Sequence, residues 1–338
     1  MKQYNVAILG ATGVVGQQML ACLDECDFPI GELTLLASAR SAGKHVEFKG
    51  ETYTIREACD EAFDGVDIVL GAAENEIAQR FLPVARDKGC VVVDNSSAFR
   101  LDEDVPLIIP EVNGSDVAHH HGVIANPNCA TIIGLVAVNP LHKLGHINRM
   151  VVSTYQAASG AGIGGLRELE SQLKHLALDE EIEDPRAFAY QLAYNLIPQI
   201  GGFDEAGFTS EEMKMQNEGR KILHNPKLRV NCTCVRVPVL RSHSESITLE
   251  FDRPVSVEAA REALAQAPGV KLVDDPAQLM YPMPLDTTDQ DLVYVGRIRE
   301  DISAGEGVHA LTLWCCGDQI RKGAATNAVQ IAQLLVEE

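Results

Sequence analysis

One turn constrains the fold of this chain more than anything else in it. The apolar run Val6-Ala7-Ile8-Leu9 leads into Gly10-Ala11-Thr12-Gly13-Val14-Val15-Gly16, and a helical stretch, Val14–Asp24, follows. A strand that passes through a glycine-rich turn into a helix is the opening unit of a parallel sheet with crossover helices. The turn also has a chemical use. Glycines let the backbone approach a pyrophosphate, and the helix start offers unpaired N–H groups and the positive end of its dipole. The spacing is G-x-x-G-x-x-G rather than G-x-G-x-x-G. Three glycines in a tight turn can be purely structural, but the strand before and the helix behind favour phosphate binding.

The alternation continues. Strands are expected at Leu33–Ala37, Ile68–Leu70 and Val91–Asp94, with shorter ones at Leu107–Ile109 and Val123–Ala125, and helical stretches such as Glu76–Lys88 lie between most of them. This predicts an α/β fold with a doubly wound, Rossmann-type sheet. After about residue 130 the texture changes. Strands at Met150–Gln156, Cys232–Pro238, Ser246–Phe251, Asp291–Arg297 and Ala310–Cys315 are separated by long connections. That reads as a second, α+β domain with a largely antiparallel sheet. The segment from Gly323 to Glu338 is an amphipathic helix with Ala328, Ile331, Leu334 and Leu335 on its apolar side. A length of 338 residues fits two domains.

Composition excludes several classes of function. A net charge of −20 argues against a nucleic-acid partner. No run of about eighteen apolar residues is present, so no membrane span is expected. No basic stretch with an apolar signal core precedes the first strand, and a cytoplasmic protein is expected. The nine cysteines match neither a disulfide framework nor paired C-x-x-C zinc ligands. The run His119-His120-His121 lacks a partner ligand nearby in sequence, and no metal is expected.

The second strand ends at Ala37-Ser38-Ala39-Arg40-Ser41-Ala42-Gly43-Lys44. A site selective for NAD places an acidic residue there for the ribose 2′-hydroxyl. None is present. Arg40, Ser41 and Lys44 can surround a 2′-phosphate instead, which points to NADP.

A cysteine supplies the chemistry. In Ala125-Asn126-Pro127-Asn128-Cys129-Ala130-Thr131 the Asn-Pro turn precedes an apolar helix expected to end before Pro140. Cys129 then sits in the first helical turn, where the dipole favours a thiolate and the N–H groups can hold an oxyanion. Alone, such a cysteine is most often a small buried apolar residue. Further on, Arg236-Val237-Pro238-Val239-Leu240-Arg241-Ser242-His243-Ser244-Glu245-Ser246 is a polar knot rather than a core. Arg236 and His243 would point to opposite faces of an unbroken strand, so Pro238 is expected to mark a bend that lets both reach one pocket. Cys129 with His243 gives a nucleophile and a general base. Beside a nicotinamide cofactor, the chemistry is thiolate attack on an aldehyde, hydride transfer to NADP, and attack of an acceptor on the thioester.

The chain resembles the aspartate-semialdehyde dehydrogenase family from end to end. The resemblance lies in the GATGVVG opening, SSAFR at Ser96–Arg100, PNCAT at Pro127–Thr131, TYQAASGAG at Thr154–Gly162, YNLIPQI at Tyr194–Ile200, EEMKM at Glu211–Met215, CVRVPVLRSHSES at Cys234–Ser246 and GDQIRKGAATNA at Gly317–Ala328. It implies that Cys129 is the acyl-thioester nucleophile, His243 the acid/base, and Gln156 the residue orienting the substrate. Glu211 would hold the amino group of aspartate semialdehyde and Arg236 its α-carboxylate. Arg100, Asn128 and Lys214 would bind inorganic phosphate, the attacking acceptor that yields aspartyl phosphate. Gly10, Thr12, Gly13, Val14, Val15, Arg40, Ser41, Ser159, Gly160 and Gln319 would contact NADP, with Asn327 near the nicotinamide. It also implies a homodimer, an NADP-binding domain over residues 1–130 to which 317–338 returns, and a catalytic and dimerisation domain over 131–316. Without the family, Glu211 and Lys214 could be a surface pair and Gln156 a strand cap.

Three other families compete with this reading. N-acetyl-γ-glutamyl-phosphate reductase shares the logic but carries N-P-G-C-Y, whereas Asn128 and Ala130 flank Cys129 here. A short-chain reductase needs Tyr-x-x-x-Lys, and Tyr155, Tyr190 and Tyr294 are followed four later by Ser159, Tyr194 and Ile298. A non-catalytic NADP-binding paralogue would lose the cysteine or the phosphate-binding arginine, and both Cys129 and Arg100 are present.

Overall fold

The computed structural model describes residues 2–336. The chain divides into two compact units, Met1–Asn128 with Ala324–Glu338, and Cys129–Gly323. These divisions differ from the 130/131 and 316/317 positions expected above. The stretch after Gly317 stays with the second unit because Gly317 still pairs with His243 and Gln319 is bonded to Ser242 and Ser159.

The first unit is built on β1 (Tyr4–Leu9), β2 (Ile30–Ala37), β3 (Arg56–Glu57), β4 (Ile68–Gly71), β5 (Val91–Asp94) and β6 (Val123–Ala125). They lie in the order β3-β2-β1-β4-β5-β6 with every pairing parallel. This is the doubly wound order, and it is apolar on both faces because helices cover both. Alternate residues of β1 serve the two cores. Val6 and Ile8 pack with Met19 and Leu23 of helix α1 (Val14–Glu25) and with Ala328 and Ile331 of the C-terminal helix Thr326–Val336. Ala7 and Leu9 pack with Phe81 and Leu82 of α2 (Asn75–Asp87). Leu334 and Leu335 are partly buried against the first of these cores, and Glu337 and Glu338 lie outside the described residues.

Leu107–Ile109 does not form a strand. Leu107 makes one bridge, to Ala125, because Pro106 and Pro110 flank the segment and neither can donate to a ladder. A hairpin, His45–Phe48 with Glu51–Thr54, was not legible in the sequence. Its turn is Lys49-Gly50, both at positive φ, and lysine carries no signal for that conformation.

The second unit carries helix α3 (Cys129–Leu144), β7 (Ile147–Gln156), α4 (Gly162–Ala177), α5 (Ser210–Ile222), β8 (Arg229–Arg236), β9 (His243–Phe251), β10 (Val270–Leu272), β11 (Val293–Glu300) and β12 (His309–Gly317). The sheet order is β8-β7-β9-β12-β11-β10. The three central pairings are antiparallel and the two outermost are parallel, so the sheet is mixed at its edges. Helix α3 does not end before Pro140 but runs through it. An interior proline costs about 3 kcal/mol. Burying one Leu or Ile side chain gains about 1.5–3 kcal/mol, and Ile132, Ile133, Leu135 and Leu141 are all buried along this helix. Among the described residues, no helix is long and apolar enough to cross a membrane.

Candidate active site

The second sheet gathers its polar residues by register. Arg236 of β8 pairs with Gln156 of β7. Tyr155 pairs with Ser244 of β9, which sets Gln156 opposite His243, and His243 pairs with Gly317 of β12. Adjacent strands lie about 4.8 Å apart, so Arg236, Gln156 and His243 stand side by side at one end of one sheet face. The expected bend at Pro238 is a crossing instead. The chain leaves β8 after Arg236 and re-enters two strands away at His243, with Pro238 in the connection. The next row in the same face is Cys234, Thr154, Glu245 and Cys315.

Helix α3 lies on this face. The Ile133 side chain is 3.1 Å from where a Cβ on Gly317 would stand, and the Glu245 carboxylate is 2.6 Å from where one on Gly134 would stand. Cys129, one turn before Ile133, therefore lies beyond the His243 row at the strand ends. It is the first helical residue and is half-buried. A Cβ on Gly323 would stand 3.1 Å from its own Cβ, so glycine there lets the backbone come close to the cysteine.

The side chains of the row are interlocked. Gln156 Nε2 donates to Thr154 Oγ1 and to Glu211 Oε1, each at 3.3 Å. Glu211 sits in the first turn of α5, where Thr209 and Glu212 form a reciprocal capping box. Its Oε2 accepts from Lys214 Nζ at 2.9 Å. The pair spaced for a helix surface is thus largely buried on the glutamate side. Arg236 is buried, donates from Nη1 to Ala157 O at 2.7 Å and lies over the Phe188 ring. Burial lowers its pKa, and the negative charges available at Cys129 and Glu211 oppose that shift. A cavity of about 170 Å³ opens beside Arg236, lined also by Phe188, Ile197 and Gln199. A larger one, about 480 Å³, lies on α4 near Arg167 and Asp184. It touches none of these groups, so size does not locate the site.

His243 is fully buried, and its Nδ1 accepts the Ala157 N–H at 3.1 Å. Burial, then the Arg236 charge, pull its pKa down to about 3. The loop around Ala157 is pinned to the turn before His243 through Ala158 N–H to Val239 O and Ser159 N–H to Leu240 O. Gln319 braces both sides, accepting from Ser242 N–H at 2.8 Å and donating to Ser159 Oγ. Ser242 holds φ 75°, a conformation stored where the surroundings enforce it. Gly160 faces the same point. A Cβ there would stand 2.6 Å from Arg236 Nη1 and 3.3 Å from His243 Nε2.

Two contributors had not been singled out. Ala157 acts through its backbone, which no residue type reveals. Glu245 is fully buried with neither carboxyl oxygen bonded among the described residues. Burial, then Cys234 and Glu211, push its pKa well up. Its signal was an acid on the inward-facing side of an alternating strand, in line with Ile247 and Leu249.

The first unit holds the remaining residues. Gly10 has φ 92°, and a Cβ there would lie 2.4 Å from Ala72 O. A Cβ on Gly16 would lie 2.4 Å from Gly10 O. Only glycine fits these positions. Gly13 caps α1 with no side chain, and no acidic residue occupies the first turn. Thr12 and Gly13 are exposed and Val14 and Val15 half-buried, and no side chain caps the start of the helix. This cradle fits a dinucleotide pyrophosphate. Arg40 is exposed and Ser41 buried in a single 3₁₀ turn just after β2. Buried Arg100 donates to Asn95 O at 2.7 Å, next to Asp94, whose carboxylate accepts from Ser96 N–H and Oγ. Asn128 is buried directly before Cys129. Asn327 Nδ2 donates to Ile108 O and to Asn126 Oδ1, and Asn126 donates to Asn95. That chain of amides anchors the turn leading to Asn128. Among the described residues no group of three His, Cys, Asp or Glu is placed to hold a metal ion.

Both units match known protein families. The NAD binding domain of semialdehyde dehydrogenases matches residues 5–120 and their dimerisation domain matches residues 138–322. Aspartate-semialdehyde dehydrogenase of Synechocystis is 52% identical over 333 residues, 98% of this chain and 97% of that protein. The Bacillus subtilis enzyme of the same name is 49% identical over 339 residues, again 98% and 97%. A crystal structure of aspartate semialdehyde dehydrogenase II from Vibrio cholerae complexed with ASA superposes with a TM-score of 0.96 at 43% identity, covering 100% of this chain and 99% of that one. With a glycine cradle opening one unit, a cysteine at a helix start in the other, and likeness over the full length, the chain belongs to the aspartate-semialdehyde dehydrogenase family.

Proposed function

We propose that the protein catalyses the reversible, phosphorylating oxidation of L-aspartate 4-semialdehyde to 4-phospho-L-aspartate with NADP, through an acyl-thioester on Cys129. The pathway served is lysine, threonine and methionine biosynthesis, the setting cytoplasmic, and the enzyme a homodimer joined through its second unit. The observation that carries this reading is the row Arg236, Gln156 and His243 with Glu211 bonded to Gln156. A substrate with one carboxylate, one ammonium and one aldehyde matches it group for group.

Arg236 would take the α-carboxylate through its fork, and Glu211 the ammonium. Gln156 would turn the aldehyde carbon toward Cys129, and His243 would serve as acid/base. Arg100, Asn128 and Lys214 would hold the phosphate, supplying local positive charge that a chain of net charge −20 otherwise lacks. Gly10, Thr12, Gly13, Val14 and Val15 would cradle the pyrophosphate of NADP, and Arg40 with Ser41 its 2′-phosphate. Ser159, Gly160 and Gln319 would contact the cofactor, with Asn327 near the nicotinamide. The chemistry NADP supplies when bound is acceptance of a hydride.

The test is NADPH formation from aspartate semialdehyde, NADP and phosphate, comparing wild type with Cys129→Ser. Activity that needs phosphate and collapses in the variant is expected. A wild type that binds NADP but forms none would overturn the reading. For the cofactor, Arg40→Ala should weaken NADP by roughly tenfold or more, the scale of a charged hydrogen bond, and leave NAD nearly unchanged. Equal losses for both would remove Arg40 from the 2′-phosphate site.

A further inference from the structure

Between α4 and α5 the chain runs over 178–209 without a helix or strand. Part of this connection is built as a strap. Glu168 of α4 accepts through Oε2 the N–H groups of Arg186 at 2.7 Å and Ala187 at 2.6 Å. One turn further along the same helix, buried Gln172 accepts through Oε1 the N–H groups of Leu192 and Ala193, each at 2.9 Å. At the far end Ile197 exchanges both backbone hydrogen bonds with Arg236 of β8. Leu192, Ala193 and Ile197 are buried with Ala158 and Leu169. The strap is thus fixed relative to Arg236, and the side chain it brings there is Phe188.

The Phe188 ring centroid lies 5.9 Å from the guanidinium carbon of Arg236. The ring rests on α4, where a Cβ on Gly165 would stand 3.0 Å from its Cζ. Phe188 and Arg236 both border the cavity of about 170 Å³, yet Arg236 is only 6% exposed. An aromatic ring attracts a cation without using its N–H groups, so Phe188 covers Arg236 and leaves its donors for other partners. A buried charge left without a partner is costly. A site that buries such a group therefore rejects a ligand that cannot pair with it.

We propose that Phe188 is a specificity-determining residue. Its ring holds water off the Arg236 guanidinium, so an aldehyde without a carboxylate leaves a buried cation unpaired and is rejected. This deepens the reading of Arg236 as the carboxylate site and rests on it. Arg236 supplies the attraction, and Phe188 removes the water that would otherwise stand in for a missing carboxylate. The strap holds the ring in place through backbone N–H groups and two side chains of α4, so the cover is rigid rather than a mobile lid.

The experiment compares kcat/KM for aspartate semialdehyde and for 3-aminopropanal, which keeps the aldehyde and ammonium and lacks the carboxylate. The proteins are wild type, Phe188→Leu and Phe188→Ala. The preference for aspartate semialdehyde should fall about tenfold in Phe188→Ala, within the range of a cation–π contact passing from desolvated to exposed. It should fall less in Phe188→Leu, and 3-aminopropanal should be turned over no worse than by wild type. Two efficiencies that drop together at an unchanged ratio would make Phe188 a packing residue and overturn the proposal. A second readout needs no substrate. Modification of Arg236 by 2,3-butanedione, followed by peptide mass spectrometry, should run severalfold faster in Phe188→Ala than in wild type. Equal rates would show that the ring does not shield the guanidinium. Failure of the proposed function looks different: wild type would turn over neither aldehyde while the butanedione rates still separate.

Discussion

The two units handle polar groups in opposite ways. The first does its work with backbone. The Gly10–Gly16 turn leads into a helix start that no side chain caps, and Arg40 stands exposed. The second does it with side chains taken out of water. Arg236, Glu211, Gln156, His243 and Glu245 are all buried on or beside one sheet face. Backbone donors have fixed geometry and no protonation state, so such a site is limited by steric space alone. Buried ionisable groups feel one another in a low dielectric, so their charge states become properties of the cluster. A pyrophosphate cradle needs only the first arrangement. Control over a nucleophile and an oxyanion needs the second.

The largest effect that tests this contrast is expected at Arg236. Arg236→Lys keeps a charge but loses the fork and the reach to Ala157 O. Catalytic efficiency should fall by about 30- to 4,000-fold, the 2–5 kcal/mol typical of a disturbed buried charge contact, mainly as a raised KM for semialdehyde. An unchanged KM would show that the charge alone suffices. Next comes Gly10→Ala, where φ 92° and the 2.4 Å approach to Ala72 O leave no room. A loss of about 1–3 kcal/mol of stability, with weakened NADP binding, should appear in chemical denaturation and titration. If stability is lost but NADP affinity is kept, the cradle is not set by this glycine.

The smallest effect is the most diagnostic of the second unit. The folded-state pKa of Glu245 is raised, so its contribution is fully present below the unfolded value of about 4.3. As pH rises the unfolded chain loses that proton first, and the contribution is lost toward the raised folded pKa. Glu245→Gln has no such loss. Measured by denaturation, the variant should gain on wild type between acidic and mildly alkaline pH. A gap independent of pH would mean that Glu245 is ionised in the fold.

Legibility followed the range of the determining interactions. The parallel unit could be read because β1, the glycine turn and α1 are contiguous, and buried strands are apolar throughout. The helix through Pro140 could not be placed, since local preference argued for a stop and the burial of Ile132, Ile133, Leu135 and Leu141 outweighed it. Leu107–Ile109 failed for the opposite reason, its apolar residues being real but its prolines forbidding a ladder. Arg236 and His243 were singled out together, yet the bend imagined between them is a crossing to a different strand. Gln319 spans Ser242 and Ser159, a brace no local pattern reveals.

By itself the sequence determined the two fold classes, the glycine-rich turn into α1, the absence of an acid after β2 and the cysteine at a helix start. Each depends on residues within one turn or one strand–turn–helix unit, where backbone sterics and the helix dipole decide the outcome. Only the tertiary structure decided that Gln156, Arg236 and His243 form one row, that Glu211 is buried against Gln156, and that the Ala157 N–H donates to His243 Nδ1. Those outcomes depend on register between strands far apart in the chain and on a single backbone N–H at Ala157, and neither is encoded in any local pattern of residue types.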